Sequence, residues 1–320
     1  MNRSVSVVIP TCGCRDYFVP CLESLRRQTC PPSEVLLVNN SLSAELEQKA
    51  RELYPLIKVI TPDRNLYYGA SLNRGIAMST GDFILCLNDD AILDKDFISE
   101  ALKGFDENEA IGMVGGKILR PDRKTLDTTG LFLSGCRTAR ERGYGCLDRG
   151  QFEKPGFIFG VCGAVALYRR KMLEDIREEG DWFDPDLRMF YEDLDLAWRA
   201  HRAGWRGRYV PTALAYHVRG GSVRKDPGQG KGIARRYLDD AMHKELIKNR
   251  YLTIIKNETF RGFLLYLVPM ILYDLWSWTY VLCSRRRVAA LIFLEGQCFS
   301  RAMEKRSSKR SRRGYPKTCR

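Results

Sequence analysis

The sequence predicts an α/β fold with a mostly parallel central sheet flanked by helices. Through the first 118 residues, short apolar runs alternate with segments whose apolar residues recur at helical spacing. The apolar runs are nearly continuous, which is typical of strands that helices cover on both faces. The 320-residue chain is 44% hydrophobic and 28% charged, so it can bury a large core and is not disordered by composition.

The predicted elements alternate regularly along this part of the chain. Each strand is a short apolar run, and each helix carries apolar residues three or four positions apart, which places them on one face. Strands are expected at 5–10, 35–39, 57–61, 82–87 and 111–117, and helices at 18–28, 44–53, 70–79 and 97–105.

The pattern changes after residue 119. Residues 120–155 are rich in Gly, Arg and Asp and only weakly periodic, so we expect a variable loop region there. The Gly- and Lys-rich segment 220–232 is expected to be mobile. The other elements predicted beyond residue 155 are a strand at 157–168, a helix at 190–203 closed by Gly204, short strands at 208–210 and 213–217, and a helix at 235–256.

Positive charge is concentrated at the C-terminal end of the chain. Residues 285–320 contain twelve Lys or Arg and two Glu, and therefore carry +10 of the net charge of +13. A nucleic-acid-binding protein would account for this basic tail. That class leaves the acidic clusters described below unexplained, and the rest of the chain is nearly neutral, so no nucleic-acid partner is expected.

Cysteine usage predicts the compartment. The 11 cysteines show no paired CxxC spacing, and a disulfide framework is not expected in a chain of this size. The first apolar run, 5–9, is too short for the core of a signal peptide. These features favour reduced thiols in a cytosolic compartment.

An apolar stretch at 263–283 is long enough to span a bilayer, although Pro269 and Asp274 interrupt it. Basic residues flank this stretch on both sides, which argues against a single crossing. We therefore predict an interfacial or re-entrant helical pair on an anionic membrane surface, with 288–299 as the second helix. The alternative is that the stretch simply packs on the α/β domain.

Polar residues follow three of the predicted strands. Thr11 ends the first strand, Asn39-Asn40-Ser41 follows the second, and Asn88-Asp89-Asp90 follows the fourth. In open α/β sheets, ligands bind at the carboxyl ends of the strands, so we expect these residues to face one crevice. The common nucleotide-binding loops, GxxxxGK[ST] and GxGxxG, do not follow the first strand.

Two acidic clusters are candidates for chemistry. Asp89 and Asp90 end a buried strand, where a divalent cation shared with a diphosphate would offset their charge; a solvated turn is the alternative. The run Tyr191-Glu192-Asp193-Leu194-Asp195 begins a helix, where a carboxylate facing a cleft can take a proton from a hydroxyl. Acids in a first turn are also ordinary partners of the helix dipole, and Asp195 is placed to pair with Arg199.

The order and spacing of several short motifs resemble the family 2 glycosyltransferases of the GT-A fold, and within them the bacterial rhamnosyltransferase-like group. The resemblance covers residues 4–257. Each motif alone is weak, but their order is specific. The motifs are Val7-Val8-Ile9-Pro10-Thr11, 35–41, Asn65-Leu66 with Gly69, Asn73 and Gly75, Gly81-Asp82-Phe83, Leu87-Asn88-Asp89-Asp90, Gly163-Ala164 before Arg169-Arg170, 190–196, Ala203-Gly204-Trp205, Tyr209-Val210-Pro211 and His217.

The resemblance implies roles for individual residues. Asp193, beside Glu192, matches the family's catalytic base. Asp90 matches the DxD motif and, with His217, is expected to hold a Mg²⁺ or Mn²⁺ ion that bridges the diphosphate; taken alone, a single histidine is more often structural. Asn88 and Asn39 stand where the family usually has Asp. The residues expected to bind the nucleotide sugar are Pro10, Thr11, Cys12, Asn39, Ser41, Asn65, Gly69, Asn73, Asn88 and Asp89.

The resemblance also implies a reaction. It is that of an inverting glycosyltransferase moving a sugar, rhamnose by resemblance, from a dTDP or UDP donor to a saccharide acceptor carried on polyprenyl diphosphate. Residues 1–257 would form the catalytic domain for cell-surface polysaccharide or O-antigen synthesis. Residues 258–320 would form a helical extension at the cytoplasmic face of a bacterial plasma membrane.

Other functions remain open. The alternatives are a polyprenyl-phosphate glycosyltransferase, whose acceptor is the lipid phosphate itself, and a non-catalytic relative that only binds a nucleotide sugar. A nucleotidyltransferase would share the α/β crevice. It is disfavoured because the Gly-rich basic loop expected after the first strand is reduced here to Gly13-Cys14-Arg15.

Overall fold

The computed structural model describes residues 3–13, 15–219 and 238–312. The predicted mobile segment 220–232, the first residues of the predicted helix 235–256 and the end of the basic tail lie outside the described residues.

Within the described residues, ten strands form the central sheet, in the order β10-β12-β6-β11-β4-β1-β2-β3, with β5 paired to β12 and β7 paired to β6; β8 and β9 form a separate hairpin. The strands are β1 (Val5–Thr11), β2 (Glu34–Asn39), β3 (Lys58–Ile60), β4 (Phe83–Leu87), β5 (Ala91–Leu93), β6 (Ile111–Leu119), β7 (Leu126–Thr128), β8 (Leu131–Leu133), β9 (Ala139–Glu141), β10 (Gly156–Ile158), β11 (Val165–Arg169) and β12 (Arg206–His217).

Helices cover both faces of the sheet and complete the C-terminal part. They are α1 (Arg15–Arg26), α2 (Ala44–Leu53), α3 (Tyr67–Ala77), α4 (Phe97–Lys103), α5 (Arg170–Asp175), α6 (Glu192–Arg202), α7 (Asp240–Asn257), α8 (Phe260–Leu265), α9 (Leu267–Ser284), α10 (Arg286–Phe293) and α11 (Gly296–Arg312). Side-chain oxygens cap the N-termini of three of these described helices: Ser43 accepts from the backbone N–H of Leu46 at α2, Asp239 from that of Met242 at α7, and Thr259 from that of Gly262 at α8.

The two faces of the sheet bury separate apolar clusters, as a strand covered on both sides requires. Along β1, Val7 and Ile9 pack in the cluster with α1 and α4, whereas Val8 packs in the cluster with α3 and α6. Gly75 of α3 permits a close approach to β1, because a Cβ at this position would lie 2.3 Å from Cγ1 of Val8.

The predicted α/β class is confirmed, but the sheet is mixed. Strands β3, β2, β1 and β4 run parallel, whereas β11 lies antiparallel between β4 and β6. The predicted strand 157–168 is wrong as a single element, because the chain leaves the sheet after Ile158 and re-enters at Val165. Conversely, the two short strands predicted at 208–210 and 213–217 are one strand, β12, whose pairing with β6 is irregular between Val210 and Leu214.

Residues 120–155 are not simply a loop. They contain β7, β8 and β9, each only three residues long, and such short strands leave no measurable periodicity in the sequence. Pairing with neighbours holds them in place: β7 extends the edge of β6, and β8 pairs with β9. This region supplies part of the candidate site.

The predicted helix 263–283 is divided into α8 and α9 at Tyr266. Pro269 lies in the first turn of α9, where a missing backbone N–H is tolerated. The predicted second helix, 288–299, is likewise divided between α10 and α11. In the described part of the chain, no helix combines the length and hydrophobicity of a membrane-spanning segment.

The contact between α3 and β1 gives a stability prediction. Gly75→Ala should lower the free energy of unfolding by about 1–3 kcal/mol, because the added methyl group would overpack Val8. Gly156→Ala is the matched control, since no atom lies within 4 Å of a Cβ at that position. Urea unfolding of both variants checks the prediction, and equal effects would show that α3 does not pack tightly on β1.

Candidate functional site

The ends of β1 and β4 meet, as the sequence predicts. The two strands are parallel neighbours, with Val8 beside Cys86. Just beyond them, the Thr11 hydroxyl donates a hydrogen bond of 2.6 Å to Oδ2 of Asp89. The turn at Asn88 is fixed by its backbone N–H, which donates to the carbonyl of Ala164 at 2.9 Å. The acidic turn is therefore held between the first strand and the segment that precedes β11.

Asp90 and His217 lie together at the other side of this turn. Nε2 of His217 is 3.2 Å from Oδ1 of Asp90, and its Nδ1 is 3.0 Å from Oδ2 of Asp127. All three side chains are buried. Strand β12 pairs antiparallel with β5, and this pairing sets His217 opposite Ala91, next to Asp90.

The His217 site continues into a network of ion pairs. Arg219 contacts Oδ1 of Asp127 and also pairs with Glu141. Asp127 comes from β7 and Glu141 from β9, within the region that the sequence indicated as a variable loop. No local pattern marked these two acids, because their partners lie about 80–90 positions away in the chain.

Burial and ion pairing together shift the pKa values of the residues in this network. Burial lowers the pKa of His217, but hydrogen bonds to Asp127 and Asp90 outweigh burial and raise it to about 9. Burial raises the pKa of Asp127, yet Arg219 and His217 hold it below its usual range. For Glu141 burial prevails and the pKa is raised.

Glu192 and Asp193 begin α6 after an unusual turn. Phe190 and Tyr191 both have positive φ, 69° and 72°, a conformation that costs non-glycine residues free energy. The turn aims Asp193 at the segment before β11, where its Oδ2 accepts the backbone N–H of Gly163 at 3.1 Å. Its Oδ1 accepts the N–H of Leu194 at 2.7 Å.

Both carboxyls at the start of α6 have raised pKa values. Burial raises the pKa of Asp193, and the bonds from the backbone N–H groups only partly offset it. Burial and the nearby charge of Asp193 raise the pKa of Glu192 to about 8. Oε2 of Glu192 is buried without a hydrogen-bond partner among the described residues. Such groups cluster at functional sites because burial there serves chemistry rather than stability.

One cavity of about 360 Å³ joins these features. Five of the predicted site residues line it: Asn88, Asp90, Glu192, Asp193 and His217. Its other polar or flexible lining includes Tyr68, Glu141, Cys162, Gly163, Met189, Tyr191 and Arg219. The side chain of Tyr68 is fixed there by donating its hydroxyl to the carbonyl of Gly163 at 2.6 Å.

Other residues near the end of β1 that were predicted to bind the nucleotide sugar lie outside this cavity. Cys12 and Ser41 line a neighbouring recess of about 420 Å³, and Nδ2 of Asn65 is 3.9 Å from Sγ of Cys12. The amide of Asn39 is engaged within the protein: its oxygen accepts the Ser41 hydroxyl at 2.6 Å, and its nitrogen donates to the carbonyl of Ser43. Pro10 is buried within β1.

Asn73 and Gly69 have structural roles. The amide oxygen of Asn73 accepts the backbone N–H groups of Trp182 and Phe183, and its nitrogen donates to the carbonyl of Phe183. Gly69 packs against the same segment, where a Cβ would lie 3.4 Å from that of Phe183. These residues support the segment that leads into α6, and neither lines the cavity.

The C-terminal helices fasten that segment from the other side. Nδ2 of Asn249 in α7 donates to the carbonyls of Met189 and Phe190, which flank the strained turn. Lys256 is fully buried and pairs with Asp184 at 2.5 Å and with Asp195 at 2.9 Å. The predicted pairing of Asp195 with Arg199 is confirmed at 2.9 Å.

The residues around Asp90 can hold a divalent cation. Oδ1 of Asp90 and Nε2 of His217 are close enough to share one ion once the ion displaces the Nε2 proton, and Asp127 orients the other ring nitrogen, as is common for a metal-binding histidine. Oδ1 of Asn88 is buried without a hydrogen-bond partner in the described structure. Within residues 3–13, 15–219 and 238–312 no three His, Cys, Asp or Glu side chains form a metal cluster, so other ligands would have to complete the shell.

The raised pKa of Glu192 makes stability depend on pH. An unfolded Glu loses its proton near pH 4.5, whereas folded Glu192 keeps it to about pH 8, so this residue's contribution to stability is lost as the pH rises through that window. The Glu192→Gln variant has no carboxyl to ionise at this position, so it does not lose stability in this way. Its stability relative to wild type should therefore rise between pH 5 and 8, on the order of 3–4 kcal/mol.

Urea unfolding at several pH values measures this difference. Glu45→Gln, at an exposed position of α2, is the matched control and should track the wild type. A Glu192→Gln difference that stays constant with pH would contradict the raised pKa.

Comparisons with known proteins agree with this fold and identify the family. The chain is 26% identical over 187 residues to poly-beta-1,6-N-acetyl-D-glucosamine synthase of Staphylococcus aureus (strain COL). The match covers 57% of this chain and 42% of that protein, so the chain spans less than half the length of this relative.

Two solved structures share the fold. GalNAc-T7 with UDP, GalNAc and Mn²⁺ has a TM-score of 0.59 at 13% identity, covering 79% of this chain and 48% of that one. The mannosyltransferase PcManGT from Pyrobaculum calidifontis, in complex with GDP-Man and Mn²⁺, has a TM-score of 0.55 at 15% identity, covering 95% and 84%. The family model described as glycosyl transferase family 2 matches residues 6–177, more than half of the chain. The chain therefore belongs to glycosyl transferase family 2 and has the GT-A fold.

Proposed function

We propose that this protein is an inverting, metal-assisted glycosyltransferase that moves a sugar from a nucleoside-diphosphate donor to a saccharide hydroxyl. The observation that carries the proposal is that Asp193, a half-buried carboxylate with a raised pKa, shares one cavity with Asp90 and His217. A base and a diphosphate-binding side are the two parts that a single displacement at an anomeric carbon needs.

Asp193 is the base in this mechanism. The backbone N–H groups of Gly163 and Leu194 hold its two oxygens, so that the carboxylate is oriented before an acceptor arrives. Its raised pKa makes it a stronger proton acceptor once it is ionised. It takes the proton of the acceptor hydroxyl as that oxygen attacks the anomeric carbon and the nucleoside diphosphate leaves from the opposite side. The configuration at that carbon is inverted.

Asp90 and His217 would hold Mg²⁺ or Mn²⁺, with Asn88 as a further oxygen ligand. When bound, the cation supplies positive charge that offsets the charge of the diphosphate. Arg219 lines the same cavity and places a second positive charge there, fixed by Asp127 and Glu141. Both solved structures named above contain Mn²⁺, which supports the use of a divalent cation by this protein.

The donor and acceptor follow from the resemblance. Rhamnose from dTDP is the donor that it favours, and a UDP-linked hexose or N-acetylhexosamine is the alternative. The relative from Staphylococcus aureus is named as a synthase of an N-acetylglucosamine polymer, which supports a role in cell-surface polysaccharide synthesis. The acceptor saccharide would be carried on a polyprenyl diphosphate at the cytoplasmic face of the membrane.

Replacing the base should separate chemistry from binding. Asp193→Asn should lower sugar transfer by about 100- to 10,000-fold, because the general base is lost, while nucleotide binding stays near the wild-type level. Transfer from radiolabelled UDP- and dTDP-sugars to a bacterial membrane extract measures the first quantity. Asp63→Asn, at an exposed position, is the control. Transfer that survives in Asp193→Asn would place the base elsewhere.

Replacing the proposed metal ligand should affect binding instead. Asp90→Ala should weaken Mn²⁺ binding in the presence of UDP or dTDP by tenfold or more, because one of the few protein ligands is removed. Loss of the electron paramagnetic resonance signal of free Mn²⁺ measures this binding. Asp63→Ala should bind as the wild type does, and unchanged Mn²⁺ affinity in Asp90→Ala would contradict the assignment.

A further inference from the structure

Helices α8, α9 and α10 expose an apolar face that the α/β fold does not need. Six large side chains on it have exposed fractions between 61% and 81%. They are Leu265, Val268, Leu272, Leu275, Phe293 and Leu294. We call this set the apolar face. Large apolar side chains left this exposed on three consecutive helices of a folded protein mark an interaction site.

The face is built by the helical repeat of α9. Val268, Leu272 and Leu275 follow one another at spacings of four and three residues, which places them on one side of the helix. The opposite side carries the buried residues Met270 and Val281. That side packs against α7, where the indole N–H of Trp278 donates to the hydroxyl of Tyr251 at 2.8 Å. The helix therefore has one side for the protein and one side left for a partner.

The charges beside the face indicate what the partner is. Arg261, Arg286 and Arg287 are exposed at the ends of these helices. The acid within α8–α10 is Asp274, and it is bound by Arg250 at 2.6 Å. Apolar side chains with cations around them suit an anionic lipid surface. A second copy docked through the same face would bring these arginines together.

The face is also joined to the cavity. The β8–β9 hairpin lines the cavity through Leu131, Ala139 and Glu141. Its turn touches the α8–α9 junction, where the guanidinium of Arg137 lies 3.9 Å from the ring centre of Tyr266. Arg137 also pairs with Glu258, just before α8. The helices that carry the face thus abut the wall of the cavity.

We propose that the apolar face docks on an anionic bilayer and so presents the cavity to an acceptor carried by a lipid. The lipid-borne acceptor rests on the proposed function, whereas docking does not. Because α9 has one side packed on the protein, it lies in the interface with its other side in the lipid.

Vesicle flotation tests the proposal. The full chain should float with phosphatidylglycerol-containing vesicles and weakly with phosphatidylcholine alone. Leu272→Glu/Leu275→Glu should reduce flotation with the anionic vesicles at least tenfold. Leu56→Glu, at a site 84% exposed on the α/β domain, is the matched control and should float as the wild type does. Arg286→Glu/Arg287→Glu should remove the preference for phosphatidylglycerol.

Two results would overturn the proposal. One is flotation of the Leu272→Glu/Leu275→Glu variant at the wild-type level. The other is a wild type that self-associates in sedimentation velocity while this variant is monomeric, which would make a second copy the occupant. Nucleotide binding, measured on the same samples, confirms that the variants are folded. Flotation without nucleotide binding in the wild type would instead contradict the proposed function and leave docking intact.

Discussion

The carboxylates around the cavity repel one another and are costly to bury, and much of the surrounding structure compensates for them. Asp127 is fully buried, and it is tolerated because His217 and Arg219 bind its two oxygens. Asp195 is equally buried and is bound by Arg199 and by Lys256 of α7. Glu192 and Asp193 are compensated less completely. Their pKa values rise instead, and this leaves reactive carboxyls facing the cavity.

This compensation ties the C-terminal helices to the α/β domain. Lys305 of α11 pairs with Asp184, which also binds Lys256, and Asn249 of α7 holds the carbonyls of the strained turn before α6. Helices α9 and α10, which pack on α7, carry most of the exposed apolar face. The C-terminal part of the chain therefore supports the base through α7 and α11 and presents the apolar face on other helices.

Much of the fold was predictable because its signals are local. The apolar runs and helical spacing indicated most elements before β6, and the polar ends of β1 and β4 indicated where Thr11 and Asp89 meet. Residues that act through distant partners were not predictable. Asp127 and Glu141 lie on three-residue strands without periodicity, and only the folded chain brings them to Arg219. Asn73 belongs to one of the motifs that resemble the family, yet its amide oxygen binds the backbone N–H groups of Trp182 and Phe183 instead of lining the cavity.

The proposed function requires the cavity to be a metal-assisted site for a nucleotide sugar. Calorimetric titration of UDP and dTDP into the full chain, with and without Mn²⁺, tests it most directly. One of the two nucleotides should bind, and Mn²⁺ should strengthen its binding, since Asp90 and His217 contribute few ligands and the diphosphate must supply others. Absence of binding for both nucleotides with Mn²⁺ present, and for GDP under the same conditions, would contradict it.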